Sequence, residues 1–127
     1  MISIKSIDHF VLTVKSIDMT VEFYQRVLGM SVETFGEGRV ALCFGSQKIN
    51  LHQAGKEFEP KAQKPTSGSG DFCLLTDAPI VNVVEYLNAC GVKIEDGPIE
   101  RTGATGPIIS VYFRDPDMNL VEVSHRL

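Results

Sequence analysis

His9-Phe10-Val11-Leu12 and Asp71-Phe72-Cys73-Leu74 lie 62 residues apart, and the correspondence runs on without a gap: Tyr24 falls on Tyr86 and Leu28-Gly29-Met30 on Cys90-Gly91-Val92. The ends of the two stretches correspond as well. Ile49-Asn50-Leu51-His52 resembles Val121-Glu122-Val123-Ser124, in a register that the unequal preceding hairpins leave open by two residues. The chain is therefore one supersecondary unit written twice, and each copy begins and ends on a strand bearing a candidate ligand. These are His9 and Asp71 at the starts, with Asn50 or His52 and Glu122 at the ends.

The elements follow from periodicity. Ile7 to Val14 alternates as a strand, with Phe10, Leu12 and Val14 on one face and His9, Val11 and Thr13 on the other. Ser16-Ile17-Asp18 offers helix-capping groups, Val21, Tyr24, Val27 and Leu28 recur at helical spacing, and Gly29 stops the turn. Strands are expected at Ser31 to Phe35, Arg39 to Phe44 and Lys48 to Gln53, separated by Gly-rich turns. The second half repeats the order. A strand is expected at Phe72 to Thr76, then a helix starting near Pro79 and ending at Gly91, then strands at Val92 to Glu95, Ile108 to Phe113 and Leu120 to Ser124. Asp115-Pro116-Asp117-Met118-Asn119 reads as a turn whose late Asn tolerates left-handed geometry. The expectation is one domain over 1–127: a first βαβββ module over about 5–54, a linker at 55–70 with Pro60, Pro65, Gly68 and Gly70, and a second module over 71–127.

Composition narrows the function. The net charge of −4, with twelve basic residues that form no run, argues against nucleic acid as a partner. No apolar run approaches the ~20 residues needed to span a bilayer, and the N-terminus enters a strand pattern directly, so a cytoplasmic protein without membrane association is expected. Cys43, Cys73 and Cys90 are odd in number and widely spaced, which indicates neither a disulfide framework nor a zinc motif.

Strand parity places the polar candidates together. If Phe10, Leu12, Leu42, Phe44, Ile49, Leu51, Phe72, Leu74, Val111, Phe113, Val121 and Val123 face the helices, the opposite faces hold His9, Val11, Asn50, His52, Asp71, Cys73, Ser110, Tyr112, Leu120 and Glu122. By the same parity His125 faces away.

Ile7-Asp8-His9-Phe10, Phe23-Tyr24-Gln25-Arg26-Val27-Leu28-Gly29-Met30 and Tyr112-Phe113-Arg114-Asp115-Pro116-Asp117-Met118-Asn119-Leu120-Val121-Glu122 resemble the signatures of the vicinal oxygen chelate superfamily. That superfamily includes glyoxalases, extradiol dioxygenases, thiol transferases and metal-free bleomycin-resistance proteins. Cys43-Phe44-Gly45, Asn50-Leu51-His52, the stretch from Gly55 to Ala62 and Arg101-Thr102-Gly103-Ala104 are similar to the glyoxalase-domain-containing type 5 proteins. The resemblance implies an α+β fold: two βαβββ modules forming a curved, cup-shaped mixed sheet with helices outside. It also implies a divalent ion (Fe, Mn, Ni or Zn) that chelates vicinal substrate oxygens as a Lewis acid.

His9 and Glu122 form the firmest donor pair, with a hydrogen-bonded core His and a paired carboxylate as the alternative. Asp71 stands where many relatives carry a second His, and as a hard-ion ligand it competes with a role in capping the strand start. His52 and Asn50 share a face ~7 Å apart, so either one approaches the ion. His52 is favoured as the donor and Asn50 as the substrate contact, because neutral imidazole is the better ligand for these metals. Tyr112, which with Glu122 makes the expected catalytic pair, is placed to donate to an oxyanion; it also reads as a packed aromatic. Arg101, in what reads as a Gly-rich loop to Pro107, is either a clamp for a substrate carboxylate or phosphonate or a plain surface Arg, and Ser110 follows as a further substrate contact. The expected function is a metal-dependent small-molecule lyase, isomerase or dioxygenase, with a metal-free ligand- or drug-binding module as the alternative. A homodimer is expected, its modules paired within one chain or exchanged between two.

Overall fold

The computed structural model describes all 127 residues, which divide into two compact units, Met1–Ser67 and Gly68–Leu127. The boundary falls inside the expected linker. In the first unit, β1 (His9–Val14) leads into α1 (Ile17–Leu28), followed by β2 (Ser31–Phe35), β3 (Arg39–Phe44) and β4 (Gln47–Gln53). The sheet order is β1-β4-β3-β2, with β1 parallel to β4 and the other pairs antiparallel. The second unit repeats this with β5 (Asp71–Leu75), α2 (Ile80–Ala89), β6 (Asp96–Gly103), β7 (Gly106–Arg114) and β8 (Leu120–Arg126), in the order β5-β8-β7-β6. β1 and β5 start 62 residues apart, as the internal repeat requires.

Local chemistry sets the ends of α1. The Ser16 hydroxyl accepts the Met19 N–H at 3.2 Å, and Gly29 turns left-handed at φ 65°, so that its N–H reaches the Gln25 carbonyl. The helix buries Phe23, Tyr24 and Val27, and the sheet buries Leu12, Val14, Leu42, Ile49 and Leu51, the face that parity assigned to the core. In the second unit Leu87, Val111, Phe113, Val121 and Val123 are buried in the same pattern. The repeat is one of backbone rather than of environment: Tyr24 is fully buried, whereas its counterpart Tyr86 is 53% exposed.

Four expectations need correction. β1 begins at His9, not Ile7; Ile7 is 65% exposed and outside the ladder. β6 lies at Asp96–Gly103, not Val92–Glu95. Gly97-Pro98, a pair with turn chemistry, is the irregularity of this strand: the β6–β7 register shifts between Asp96 and Ile99. At Gly97, φ is 99° and a Cβ would lie 2.3 Å from the Ser110 carbonyl oxygen, so the close approach demands glycine. As a consequence Arg101 sits on a strand rather than a flexible loop, since only Ala104 and Thr105 lie between β6 and β7. Lastly, Met118, not Asn119, takes the left-handed conformation (φ 69°). The Asn119 side chain is engaged instead: its Nδ2 donates to Asp115 Oδ2 at 2.8 Å and its Oδ1 accepts the Gly70 N–H at 2.7 Å. Asp115 Oδ1 also accepts the N–H groups of Asp117 and Asn119, both at 2.9 Å. This buried clasp ties the start of β8 to the segment entering β5.

No helix is long and apolar enough to cross a membrane.

Candidate functional site

Strand pairing resolves the register that the sequence left open. In the first unit His9 pairs with Lys48 and Val11 with Asn50; in the second, Asp71 pairs with Leu120 and Cys73 with Glu122. Asn50 is therefore the structural equivalent of Glu122, and His52 is the equivalent of Ser124. His9 and Asn50 share one sheet face, diagonal neighbours across β1 and β4, and Asp71 and Glu122 are related in the same way across β5 and β8.

On the first unit's face, His9 Nδ1 lies 2.7 Å from Asp8 Oδ1. A carboxylate can only accept, so Nδ1 carries the proton in the neutral ring and Nε2 keeps its lone pair. Asn50 is 5% exposed, and its Oδ1 is buried with no hydrogen-bond partner. His52 is also buried, but its Nε2 faces Arg39 Nη2 at 3.4 Å and its ring meets Phe58 edge-on at 5.6 Å. Burial, and then the Arg39 charge, holds the His52 pKa below the usual histidine value. Its imidazole lone pair is thus turned toward a guanidinium.

On the second unit's face, a groove of about 390 Å³ opens beside Glu122, Tyr112, Cys73, Arg101 and Arg126, with Thr102–Thr105 at its rim. Arg101 Nε donates to the Tyr112 hydroxyl oxygen at 3.0 Å, and the guanidinium lies 5.6 Å from the centre of that ring. Because Tyr112 accepts from Arg101, its own proton is free for a ligand. Glu122 Oε2 accepts from Ser124 Oγ at 3.3 Å. The Cys73 thiol is pushed up in pKa, chiefly by burial and further by the Glu122 carboxylate, while a contact from Ser124 pulls the other way. Ser110 is fully buried and joined to Ser124 Oγ at 2.6 Å. Asp71 is exposed at the start of β5.

Taken one at a time, neither unit gathers three or more His, Cys, Asp or Glu side chains into a cluster. Each does present donors of the right chemistry: an imidazole nitrogen and an unpaired amide oxygen in the first, two carboxylates in the second. Parity alone could not reveal Asp8 as the partner of His9, nor Arg39 beside His52. The adjacency of Asp8 to His9 was the one signal available.

Residues 6–123 match the family described as the glyoxalase/bleomycin resistance protein/dioxygenase superfamily. The chain is 57% identical to virulence protein STM3117 of Salmonella typhimurium over 95% of its own length and 84% of that protein. It is 54% identical to glyoxalase domain-containing protein RDO1 of Mycosarcoma maydis over 97% of its length and 69% of that protein. The crystal structure of the Salmonella protein superposes with a TM-score of 0.98, at 55% identity, covering 99% of this chain and 100% of that one. An integron cassette protein from V. cholerae superposes at 0.96, with 54% identity and 98% of both chains covered. The chain belongs to the glyoxalase/bleomycin resistance protein/dioxygenase superfamily.

Proposed function

We propose that the protein is a metal-dependent small-molecule enzyme of the glyoxalase/dioxygenase type, in which His9 and Asn50 of the first unit, and Glu122 and Asp71 of the second, are the candidate donors to a divalent ion. The observation that carries this reading is the buried, unpaired Oδ1 of Asn50. An acceptor stripped of water without a partner costs about 1–3 kcal/mol, which a ligand would recover. In this reading Asn50 replaces His52 as the donor from β4, because the imidazole nitrogen of His52 faces a guanidinium that would repel a cation. Asp8 keeps the His9 ring in the tautomer whose Nε2 is a donor to metal. When bound, such an ion supplies Lewis-acid polarisation of adjacent substrate oxygens; Fe, Mn, Ni and Zn all suit a mixed N/O set.

The chain's own groups do the remaining work. Tyr112, accepting from Arg101, presents its O–H to a developing negative oxygen on the substrate, and Arg101 stabilises the phenolic oxygen as that proton is drawn away. Arg126 lines the same groove as a second cation for an acidic substrate. Glyoxalase-type proton abstraction would require a base other than Asn50, since an amide takes no proton at neutral pH.

One observation favours the alternative, a metal-free binding module for a small ligand: within each unit the donors stay below the number that a metal site usually needs. Metal analysis of untagged protein purified without chelators decides. About one ion per chain in the wild type, with strong loss in Glu122→Gln, supports the enzyme; no uptake of Mn, Fe, Co, Ni or Zn at micromolar concentration leaves the binding module.

Assembly as a homodimer and a cytoplasmic location belong to the same proposal. Ile2, Ile4 and Ile7 are 84%, 81% and 65% exposed, an apolar segment that a second copy could cover, and none of the three cysteines is in a disulfide, as a reducing compartment would keep them.

A further inference from the structure

The face of the first sheet that carries His9 and Asn50 also carries two cations, Arg39 and Lys48, with Glu33 on the same face but paired with neither. Arg39 lies between two rings, its guanidinium carbon 4.9 Å from the centre of Phe58 and 5.1 Å from that of Phe35. Lys48 Nζ stands 3.9 Å from the centre of the Phe35 ring. Neither Arg39 nor Lys48 forms an ion pair, whereas Arg26, Lys61, Arg101 and Arg114 each do. The neutral Nε2 of His52 is the polar group that meets Arg39. The nearest carboxylates make other hydrogen bonds and stay outside ion-pair distance of both cations: Glu33 accepts from Cys43 Sγ at 3.4 Å and Glu57 accepts the Gly55 N–H at 2.8 Å.

In a chain of net charge −4, two neighbouring cations without a carboxylate partner are unexpected. Stacking between rings also restricts the rotamers of Arg39, so its N–H fork is oriented before any ligand arrives and little entropy is lost on binding. The same rings offer apolar walls beside the charge.

We propose that Arg39, flanked by Phe35 and Phe58 and assisted by Lys48, binds the carboxylate of a small aromatic or apolar acid. This names the chemical class of the substrate or ligand. It rests on the small-molecule reading above but not on the metal.

The test is a titration of chelator-treated, isotope-labelled protein with sodium benzoate, followed by NMR at the Arg39 side-chain N–H and the two Phe rings. Benzamide serves as the uncharged isostere and inorganic phosphate as the compact anion. Saturable shifts at these residues are expected with benzoate, at least about tenfold weaker binding with benzamide, and weaker binding with phosphate. Arg39→Gln should weaken benzoate at least about tenfold, Arg39→Lys less, and Lys48→Gln about threefold, with Arg26→Gln on α1 unchanged. If Arg39→Gln fails to fold, Arg39→Lys and Lys48→Gln carry the comparison. Absence of shifts at Arg39, equal affinity for benzamide, phosphate binding as tight as benzoate, or unchanged affinity in the Arg39 and Lys48 variants would overturn the proposal. Because benzoate is titrated without metal, its failure is separate from a failure of metal uptake by the same preparation.

Discussion

Replacing Asn50 with Leu should make the metal-free protein more stable and the metal-loaded protein less responsive. The Asn50 side chain is 5% exposed and its Oδ1 has no partner, so folding strips that carbonyl of water at a cost of about 1–3 kcal/mol. Leucine has the same branching, though more bulk, and removes the polar atom; allowing for the tighter fit against Val11 and Ala41, its neighbours across the ladder, leaves a gain of about 1 kcal/mol. For a chain of this size that corresponds to a rise in Tm of roughly 4 °C per kcal/mol. With metal at a hundred times its Kd, wild type should gain about 2.7 kcal/mol, of which the leucine variant should lose most. Urea and thermal unfolding followed by circular dichroism, with chelator and with added Mn or Zn, reads both effects, and Asn50→Asp should restore or exceed the metal response. An N50L protein less stable than wild type in chelator, with an undiminished metal response, would show that this oxygen is not an acceptor awaiting a ligand.

Asp115→Asn should destabilise the second unit by about 2–4 kcal/mol, because its new amide would face Asn119 Nδ2, and flipping Asn119 only moves the donor–donor conflict to the Gly70 N–H; an unchanged urea midpoint would refute this. His52, whose pKa is lowered in the folded state, binds fewer protons folded than unfolded, so stability falls as pH drops below the ordinary histidine pKa of ~6.5 and levels off below the depressed folded value. His52→Gln should flatten that acid-side slope, and identical wild-type and variant slopes down to about pH 5 would count against it. Sedimentation at tens of micromolar should give a dimer, and replacing Ile2 and Ile4 with Ser should shift it toward monomer; a wild-type monomer carrying full metal occupancy would remove the dimer from the proposal.

The sequence by itself determined the repeat, both helices and the two faces of most strands, because these depend on short-range periods of 2.0 and 3.6 and on capping chemistry that neighbouring residues complete. That His9 shares a face with Asn50, and Asp71 with Glu122, was legible for the same reason: each is polar where alternation demands a face. β6 was not legible, since Gly97-Pro98 has the local chemistry of a turn and only the opposing Ser110 backbone makes it a strand with a register shift. Nor could the sequence decide whether Asn50 or His52 is the counterpart of Glu122. That equivalence depends on the pairing of β4 with β1, and unequal hairpins hide the register until the strands are side by side. Arg39 and Phe58 came together the same way: nineteen positions apart, they belong to no common period, and tertiary packing alone sets the ring against the guanidinium beside His52.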